Sequence, residues 1–333
     1  VGLAAVLAAV VVTGCATRGR LGASDAKRLQ GSTFVITGAS SGFGRGVALE
    51  VASHGANVVL VARRVAVLER VAAEARSAGG AAEVVAADVA DAAAMDAVAQ
   101  RAVDRFGRID VWINDAGVGA IGPFDRIPAA DHGRVVDTNL KGVIYGSLSA
   151  LRQFRIQGRG TLVNIGSIDS EIPLAYQATY AATKAAVLSL GRSLNEELRL
   201  SGQRGIRVTT VMPWAADTPW WKHAANYSGH VPRMAAVDDP ARVVAAIVHA
   251  SLHPREEVPV GWKARAGYWG HRLAPDASER FAGDVAHREQ MEKAAPAPDT
   301  SGAIHAPSEA GQGVEGGWRQ EIRSEDEAAR HDR

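Results

Sequence analysis

The chain has 333 residues, 37 of them Lys or Arg and 36 Asp or Glu, for a net charge of +1, and 47% of its residues are hydrophobic. That balance excludes wholesale disorder, collagen and coiled coil, and a charge so near zero leaves no electrostatic footprint for nucleic acid. The single cysteine, Cys15, excludes an intramolecular disulfide framework and a Cys-rich zinc site.

Residues 1–12 form a nearly unbroken apolar run, short of the ~20 residues that a hydrocarbon core of ~30 Å requires. Val12-Thr13-Gly14-Cys15 resembles a bacterial lipobox. Yet no basic stretch precedes it, and Arg18, Arg20, Lys27 and Arg28 follow it, an order that keeps the body in the cytosol. Three readings stay open: a membrane anchor through residues 1–17, a lipoprotein or secretory signal, and an extension of no consequence. The expected location is cytoplasmic, with or without the anchor.

From residue 31 onward the pattern alternates. Short β-branched runs at 33–37, 57–61, 83–86, 109–113, 161–165 and 206–212 are almost wholly apolar, as strands buried on both faces of a parallel sheet are. Helical stretches at 42–54, 66–78, 91–106, 130–154, 178–200 and 238–252 separate them or follow the last. Six such units predict an α/β fold with a doubly wound parallel sheet (Rossmann fold), in a single domain over 31–275 behind a segment and linker at 1–30. Ligands meet such sheets beyond the carboxyl ends of the strands.

The first strand runs into Thr37-Gly38-Ala39-Ser40-Ser41-Gly42-Phe43-Gly44 and then a helix. Glycines there let the backbone turn tightly and approach a pyrophosphate at the helix amino terminus, which puts Gly38, Ser40, Ser41, Gly42, Phe43 and Gly44 at a dinucleotide. Residues 117–122 fit GxGxxG more literally, but Pro123 and Phe124 follow and no helix starts there, so that match is rejected. The second strand ends at Ala62-Arg63-Arg64. An arginine in place of an acid suits a 2′-phosphate, so Arg63 and Arg64 favour NADP(H). Asp88 and Val89 follow the third strand and are placed for the adenine, and Asn114, Ala116 and Gly117 follow the fourth and line the cleft.

Tyr180 and Lys184 stand four apart near the start of a long helix, so the phenol and the ammonium share a face. A phenol with a pKa near 10 needs such a cation to act as an acid/base near neutrality. Ser167 directly follows the fifth strand, and Asn139 lies in the helix after the fourth.

With these elements together, residues 31–260 resemble the short-chain dehydrogenase/reductase family: TGASSGFG at 37–44, Asp88, NDAG at 114–117, Asn139, Ser167, YAATK at 180–184, and Pro213 with Thr218. The resemblance implies that Tyr180 exchanges a proton with the carbonyl oxygen while Ser167 hydrogen-bonds it. It also implies that Lys184 holds the nicotinamide ribose, that Asn139 holds a water relaying protons to Lys184, and that Pro213 and Thr218 flank the nicotinamide. A homodimer or homotetramer through helices 130–154 and 178–200 is implied as well. Two residues depart from the family pattern: Asp115 where a second Asn is usual, and Trp214 where a Gly is usual.

Five of the seven tryptophans fall between 214 and 269. A lid near 214–236 carrying Trp214, Trp220 and Trp221 beside Ser167 and Tyr180 suits a bulky apolar carbonyl or alcohol, though the same rings suit packing of the lid or an oligomer contact equally well. His223, His230 and His271 have no metal-ligand spacing. Residues 276–333 read as an extension, disordered from about 295 because Pro, Gly, Ala and charge without apolar periodicity bury little surface; the alternative is a partner-binding segment anchored by Trp318. The expected function is an NADP(H)-dependent oxidoreductase interconverting a carbonyl and a secondary alcohol. The alternatives are a non-catalytic NADP(H)-binding regulatory or scaffold protein and a nucleotide-sugar epimerase or dehydratase, the last disfavoured by the short stretch after residue 213.

Overall fold

The computed structural model describes residues 21–331, so the apolar run at 1–12 and Cys15 lie outside the described residues. The chain begins with α1 (Ala23–Leu29), β1 (Thr33–Thr37), α2 (Gly42–Ala52), β2 (Asn57–Ala62), α3 (Val65–Ser77), β3 (Ala81–Ala86) and α4 (Ala92–Phe106). It continues with β4 (Val111–Asn114), β5 (Ala120–Ile121), α5 (Ala129–Val136), α6 (Gly142–Gln157), β6 (Gly160–Ile165), α7 (Ala178–Leu200) and β7 (Ile206–Met212). It ends with α8 (Trp220–His223), β8 (Ala225–Asn226), α9 (Pro240–Leu252), β9 (Glu257–Pro259), α10 (Gly261–Leu273), α11 (Pro275–His287) and α12 (Trp318–His331).

Seven strands form one parallel sheet in the order β3-β2-β1-β4-β6-β7-β9. Chain order reverses between β1 and β4, and there a doubly wound sheet opens its ligand crevice. Alternation along β1 divides the core. Phe34 and Ile36 pack with α2, α3 and α9 residues such as Val47, Leu68 and Ile247. Val35 packs on the other side with Met95, Phe154 and Leu198. All are fully or almost fully buried, as expected of strands covered on both faces.

Local chemistry explains the element ends. Asp91 caps α4 by accepting the N–H groups of Ala93 and Ala94 at 2.9 and 3.2 Å, and Gly107 stops it in the left-handed region at φ 79°. Between α5 and α6 the helix widens into one π turn at Asp137–Lys141, so the stretch expected at 130–154 is a single helical run interrupted at Asn139.

The structure differs from the sequence reading at the carboxyl side. A seventh strand, β9, is only three residues long and carries no alternation to read. Helices α10 and α11 extend the body past 275. Disorder from about 295 is overturned. Ile304 is fully buried among Val118, Ile127, Val135 and Ala225, and Trp318 is buried with Ile121, Trp221 and Ala224. Beside these two anchors the segment holds on through main-chain carbonyls and through side chains such as His305 on Asp131 and Arg319 on Asp217.

Candidate active site

The carboxyl ends of β1, β2, β4, β6 and β7 converge on one cavity of ≈ 870 Å³. At one end lies the glycine loop. Gly38 has φ +73°, and a Cβ there would come within 2.9 Å of the Ala116 N, so only glycine lets the loop lie on the end of β4. Gly44 is packed as closely, since a Cβ would meet the Gly38 carbonyl at 2.7 Å and Asp115 Oδ2 at 2.8 Å. Gly38, Ser40, Ser41, Gly42 and Phe43 line the cavity, as do Asp88, Val89, Ala116 and Gly117, whereas Gly44 lies behind the loop. A glycine-rich loop with small hydroxyls at a helix amino terminus fits the phosphates of a dinucleotide.

Asn114 is a correction. Its Oδ1 accepts the Trp112 indole N–H at 2.8 Å, and its Nδ2 donates to Asn164 Oδ1 at 2.9 Å and to Ser147 Oγ at 3.2 Å. It ties strands and α6 together and forms no part of the cavity wall.

At the other end Ser167, Tyr180 and Lys184 share the wall. Ser167 is set by the end of β6 and a short turn at Ile168–Ser170, whose Asp169 N–H it accepts at 3.2 Å. The Ser167 hydroxyl stands near enough to the Tyr180 phenol to favour its ionised form. Lys184 is 4% exposed, donates to the Ile165 carbonyl at 2.7 Å and stands 5.6 Å from the Tyr180 ring centre. Asn139 is fully buried behind this wall. Its amide clasps the Val118 main chain, accepting the N–H and donating to the carbonyl, both at 2.8 Å, and also donates to Thr183 Oγ1 at 3.2 Å. The π turn aims it there.

The electrostatics differ from expectation. Burial pushes the Tyr180 phenol up, Asp169 and Asp115 add to this, and only the Ser167 hydroxyl opposes it. Lys184 does not bring the phenol down here, because the ammonium gives up its own proton well before the phenol does. Burial lowers Lys184 to about 8 against the pull of Asp115 and Asp169. Burial raises Asp115 to about 7 against Lys184 and the Gly44 N–H, and raises Asp169 to about 7 against Lys184. The departure at Asp115 was readable in the sequence. Asp169 was missed, and its place two residues after Ser167 was the signal.

The remaining wall is mostly apolar: Ile168, Ile172, Trp214, Trp220, Trp221, Met234, Trp262 and Phe281, with Pro213 and Thr218 between it and the glycine loop. Trp220 turns its edge toward Tyr180, ring centres 5.2 Å apart, and toward Trp221 at 4.9 Å. Trp262 and Phe281 come from α10 and α11, which sequence reasoning left unassigned. Asp25, His249 and His253 form a grouping of metal-ligating side chains that lines no part of this cavity.

Arg63 and Arg64 also line the cavity, at the end away from Tyr180. They are bound by the carboxyl-terminal segment. Arg63 donates to the carbonyls of Ala303, Ile304 and His305 at 2.8–3.1 Å. Arg64 donates to those of Ser308, Ala310 and Gly311 at 3.0–3.4 Å and to the hydroxyls of Ser40 and Ser41. Asp217, just after β7, accepts the N–H groups of Gly316, Trp318 and Arg319 and pairs with the Arg319 guanidinium. Burial alone would raise Asp217, but these donors outweigh it and hold it below the usual carboxylate range.

The model of the short chain dehydrogenase family matches residues 32–227. An oxidoreductase of Bacillus subtilis, YxnA, is 32% identical over 282 residues, which cover 84% of this chain and 79% of that protein. The 3beta-hydroxysteroid dehydrogenase 1 of Eggerthella lenta is 38% identical over 193 residues, 57% of this chain and 73% of that protein. Among solved structures, a short-chain dehydrogenase from Streptomyces avermitilis superposes with a TM-score of 0.64 at 28% identity, covering 75% of this chain and 95% of that one. An alcohol dehydrogenase from Thermococcus sibiricus complexed with 5-hydroxy-NADP superposes with a TM-score of 0.59 at 26% identity, covering 68% and 93%. Site geometry, family model and relatives agree: the chain belongs to the short-chain dehydrogenase/reductase family of oxidoreductases.

Proposed function

We propose that the protein is an NADP(H)-dependent oxidoreductase that interconverts a carbonyl and a secondary alcohol on a bulky apolar substrate. The observation that carries this is the wall on which Ser167, Tyr180 and Lys184 meet an apolar cavity. The nicotinamide supplies or takes the hydride when bound. Tyr180 would give its proton to the carbonyl oxygen, or take it back from the alcohol, while Ser167 hydrogen-bonds that oxygen. Lys184 would hold the ribose hydroxyls, and Asn139 would keep the Val118 loop in place behind them. The high position of the Tyr180 phenol favours its protonated form, which suits carbonyl reduction.

For the cofactor, the glycine loop, Asp88, Val89, Pro213 and Thr218 would hold the dinucleotide. The absence of an acid at the end of β2, where Ala62, Arg63 and Arg64 stand, favours NADP(H) over NAD(H). The apolar wall and the likeness to a 3beta-hydroxysteroid dehydrogenase support a steroid or similar fused-ring substrate. Ile144 and Leu148 stand 40% and 44% exposed one turn apart on α6, which supports a homodimer or homotetramer through α6 and α7. We place the body in the cytosol, where its cofactor is held; among the described residues no helix is long and apolar enough to cross a membrane.

A non-catalytic NADP(H) binder draws on one observation, the carboxyl-terminal segment seated on Arg63 and Arg64. One assay separates the readings: NADPH and NADH oxidation by the full chain against ketosteroids and small ketones, beside Tyr180→Phe. Turnover with NADPH that falls at least a hundredfold in Tyr180→Phe supports the reductase. NADPH binding without turnover on any ketone would move the reading to the binder.

A further inference from the structure

The segment from 303 to 313 is held by the buried Ile304 side chain, by His305 Nε2 on Asp131 Oδ1 at 2.8 Å, by Arg70 donating to Gln312 Oε1 at 2.7 Å, and by a row of main-chain oxygens. Six of its carbonyls take the guanidiniums of Arg63 and Arg64. The Gln312 carbonyl takes Arg45 at 2.6 Å, and the Gly313 carbonyl takes the Gly42 N–H, the first amide of α2, at 2.9 Å. Arg134 adds a bond to the Ile304 carbonyl at 2.9 Å. These donors are of the kind a phosphate uses: arginine forks and an amide at a helix amino terminus. Arg64 has no group to spare, because its Nε and both terminal nitrogens are bonded to Ser40, Ser41 and the segment. The segment also brings a carboxylate, Glu309, close enough to Arg64 to oppose the effect of burial on it.

The cavity persists beneath this cover, with Ala303, Pro307 and Ser308 on its wall. A dinucleotide without a 2′-phosphate needs neither arginine. One with a 2′-phosphate meets six carbonyl oxygens and a carboxylate where it needs donors.

We propose that residues 303–313 determine cofactor selectivity: they occupy Arg63 and Arg64, so that NADP(H) engages them only as the segment lifts, whereas NAD(H) needs neither arginine and asks the segment to give up at most the Gly42 N–H. This rests on the reading that the two arginines receive the 2′-phosphate. The apparent affinity for NADP(H) is then multiplied by the fraction of time the segment is open, and a segment closed about nine-tenths of the time lowers it roughly tenfold.

Two substitutions within the segment release it at different points. Ile304→Glu places a charge in a fully buried apolar position. Gly311→Val loads a site at φ +65° whose Cβ would meet Pro219 at 2.8 Å and His223 at 2.9 Å. If one variant fails to fold, the other carries the test. Binding of NADPH and NADH to the full chain and to each variant is measured by calorimetry, and amide exchange over 303–316 is followed with each cofactor. The expected result is a tenfold or larger gain for NADPH in the variants, NADH within twofold, and faster exchange on adding NADPH to the unaltered chain but not NADH. Weaker NADPH binding in the variants would make the segment a clamp and overturn the proposal; unchanged binding would overturn it as well. Arg63→Ala with Arg64→Ala, made in the Gly311→Val chain, separates the two levels. If NADPH affinity drops there while the segment variants alone changed nothing, the selectivity role fails and the NADP(H) reading stands. If it does not drop, the NADP(H) reading itself fails.

Discussion

Trp220 sets the edge of its indole against Tyr180, with ring centres 5.2 Å apart and planes at 61°. The approach depends on Gly119, where a Cβ would fall 2.3 Å from the Trp220 ring. Trp220 thus rests on the residue that would transfer the proton, and Gly119 makes the space for it. The rejected GxGxxG stretch has a packing reason for one of its glycines.

Trp220→Ala removes an edge contact worth about 0.5–1.5 kcal/mol. KM for a bulky ketone should rise roughly two- to tenfold, with kcat for a small ketone within twofold. Gly119→Ala should reproduce part of the KM effect by displacing the ring. Unchanged KM in both variants would mean that Trp220 only packs against Tyr180 and Trp221 and does not meet substrate.

Burial lifts the Asp169 carboxyl toward neutrality, from 3.8 to about 7, so the folded chain holds a proton there that the unfolded chain has released. Stability therefore falls as pH climbs from about 4 to about 7, and does not fall further above that on this account. Asp169→Asn removes the slope and should be more stable at pH 8 by at least ~1 kcal/mol, with no gain at pH 4. It also removes a charge that pushes Tyr180 up, alongside Asp115. Alcohol oxidation, which needs the phenol deprotonated, should rise at lower pH in the variant. Denaturation at the two pH values and a pH–rate profile check both; an equal change in stability at pH 4 and pH 8 would show that Asp169 is not titrating.

Asn139 works from behind the wall. Asn139→Ala strands the N–H and C=O of Val118, a cost of about 1–3 kcal/mol for an unsatisfied buried group. A urea midpoint should show that loss, and turnover should fall more than cofactor affinity because the Val118 loop sits against Lys184. Loss of stability with full turnover would leave Asn139 a structural residue only.

The reach of the sequence varied with the kind of contact. Strands such as Thr33–Thr37 and Ile206–Met212 were readable to the residue because burial on both faces writes a run of apolar and β-branched residues, broken only at Arg207. Tyr180 and Lys184 were readable because helical spacing alone puts them on one face. Asn114 was misplaced: its neighbours in the motif line the cavity, but its own side chain turns into the core toward Trp112 and Asn164. The tail was misread for a different reason. Its bonds to Arg63 and Arg64 come from main-chain carbonyls, which every residue has, so Pro-, Gly- and Ala-rich composition records nothing of them.

Asp217 is where the tail can be cut loose without touching the cavity floor. It lies just after β7 and accepts three N–H groups at the start of α12 besides the Arg319 guanidinium. Its carboxyl is held low by those donors, so the tie persists down to pH values where an ordinary aspartate is half protonated. Asp217→Ala leaves several N–H groups of residues 316–319 unpaired, at a cost of at least ~1 kcal/mol. Amide exchange over 316–331 should rise at least tenfold while exchange in β1 and β4 stays unchanged. Lowering the pH of the unaltered chain well below 4 should loosen the same peptides, since the stability from a depressed carboxyl is lost as the group takes up its proton. Equal protection of 316–331 in Asp217→Ala would show that Trp318 alone, buried against Ile121 and Trp221, suffices to hold the tail.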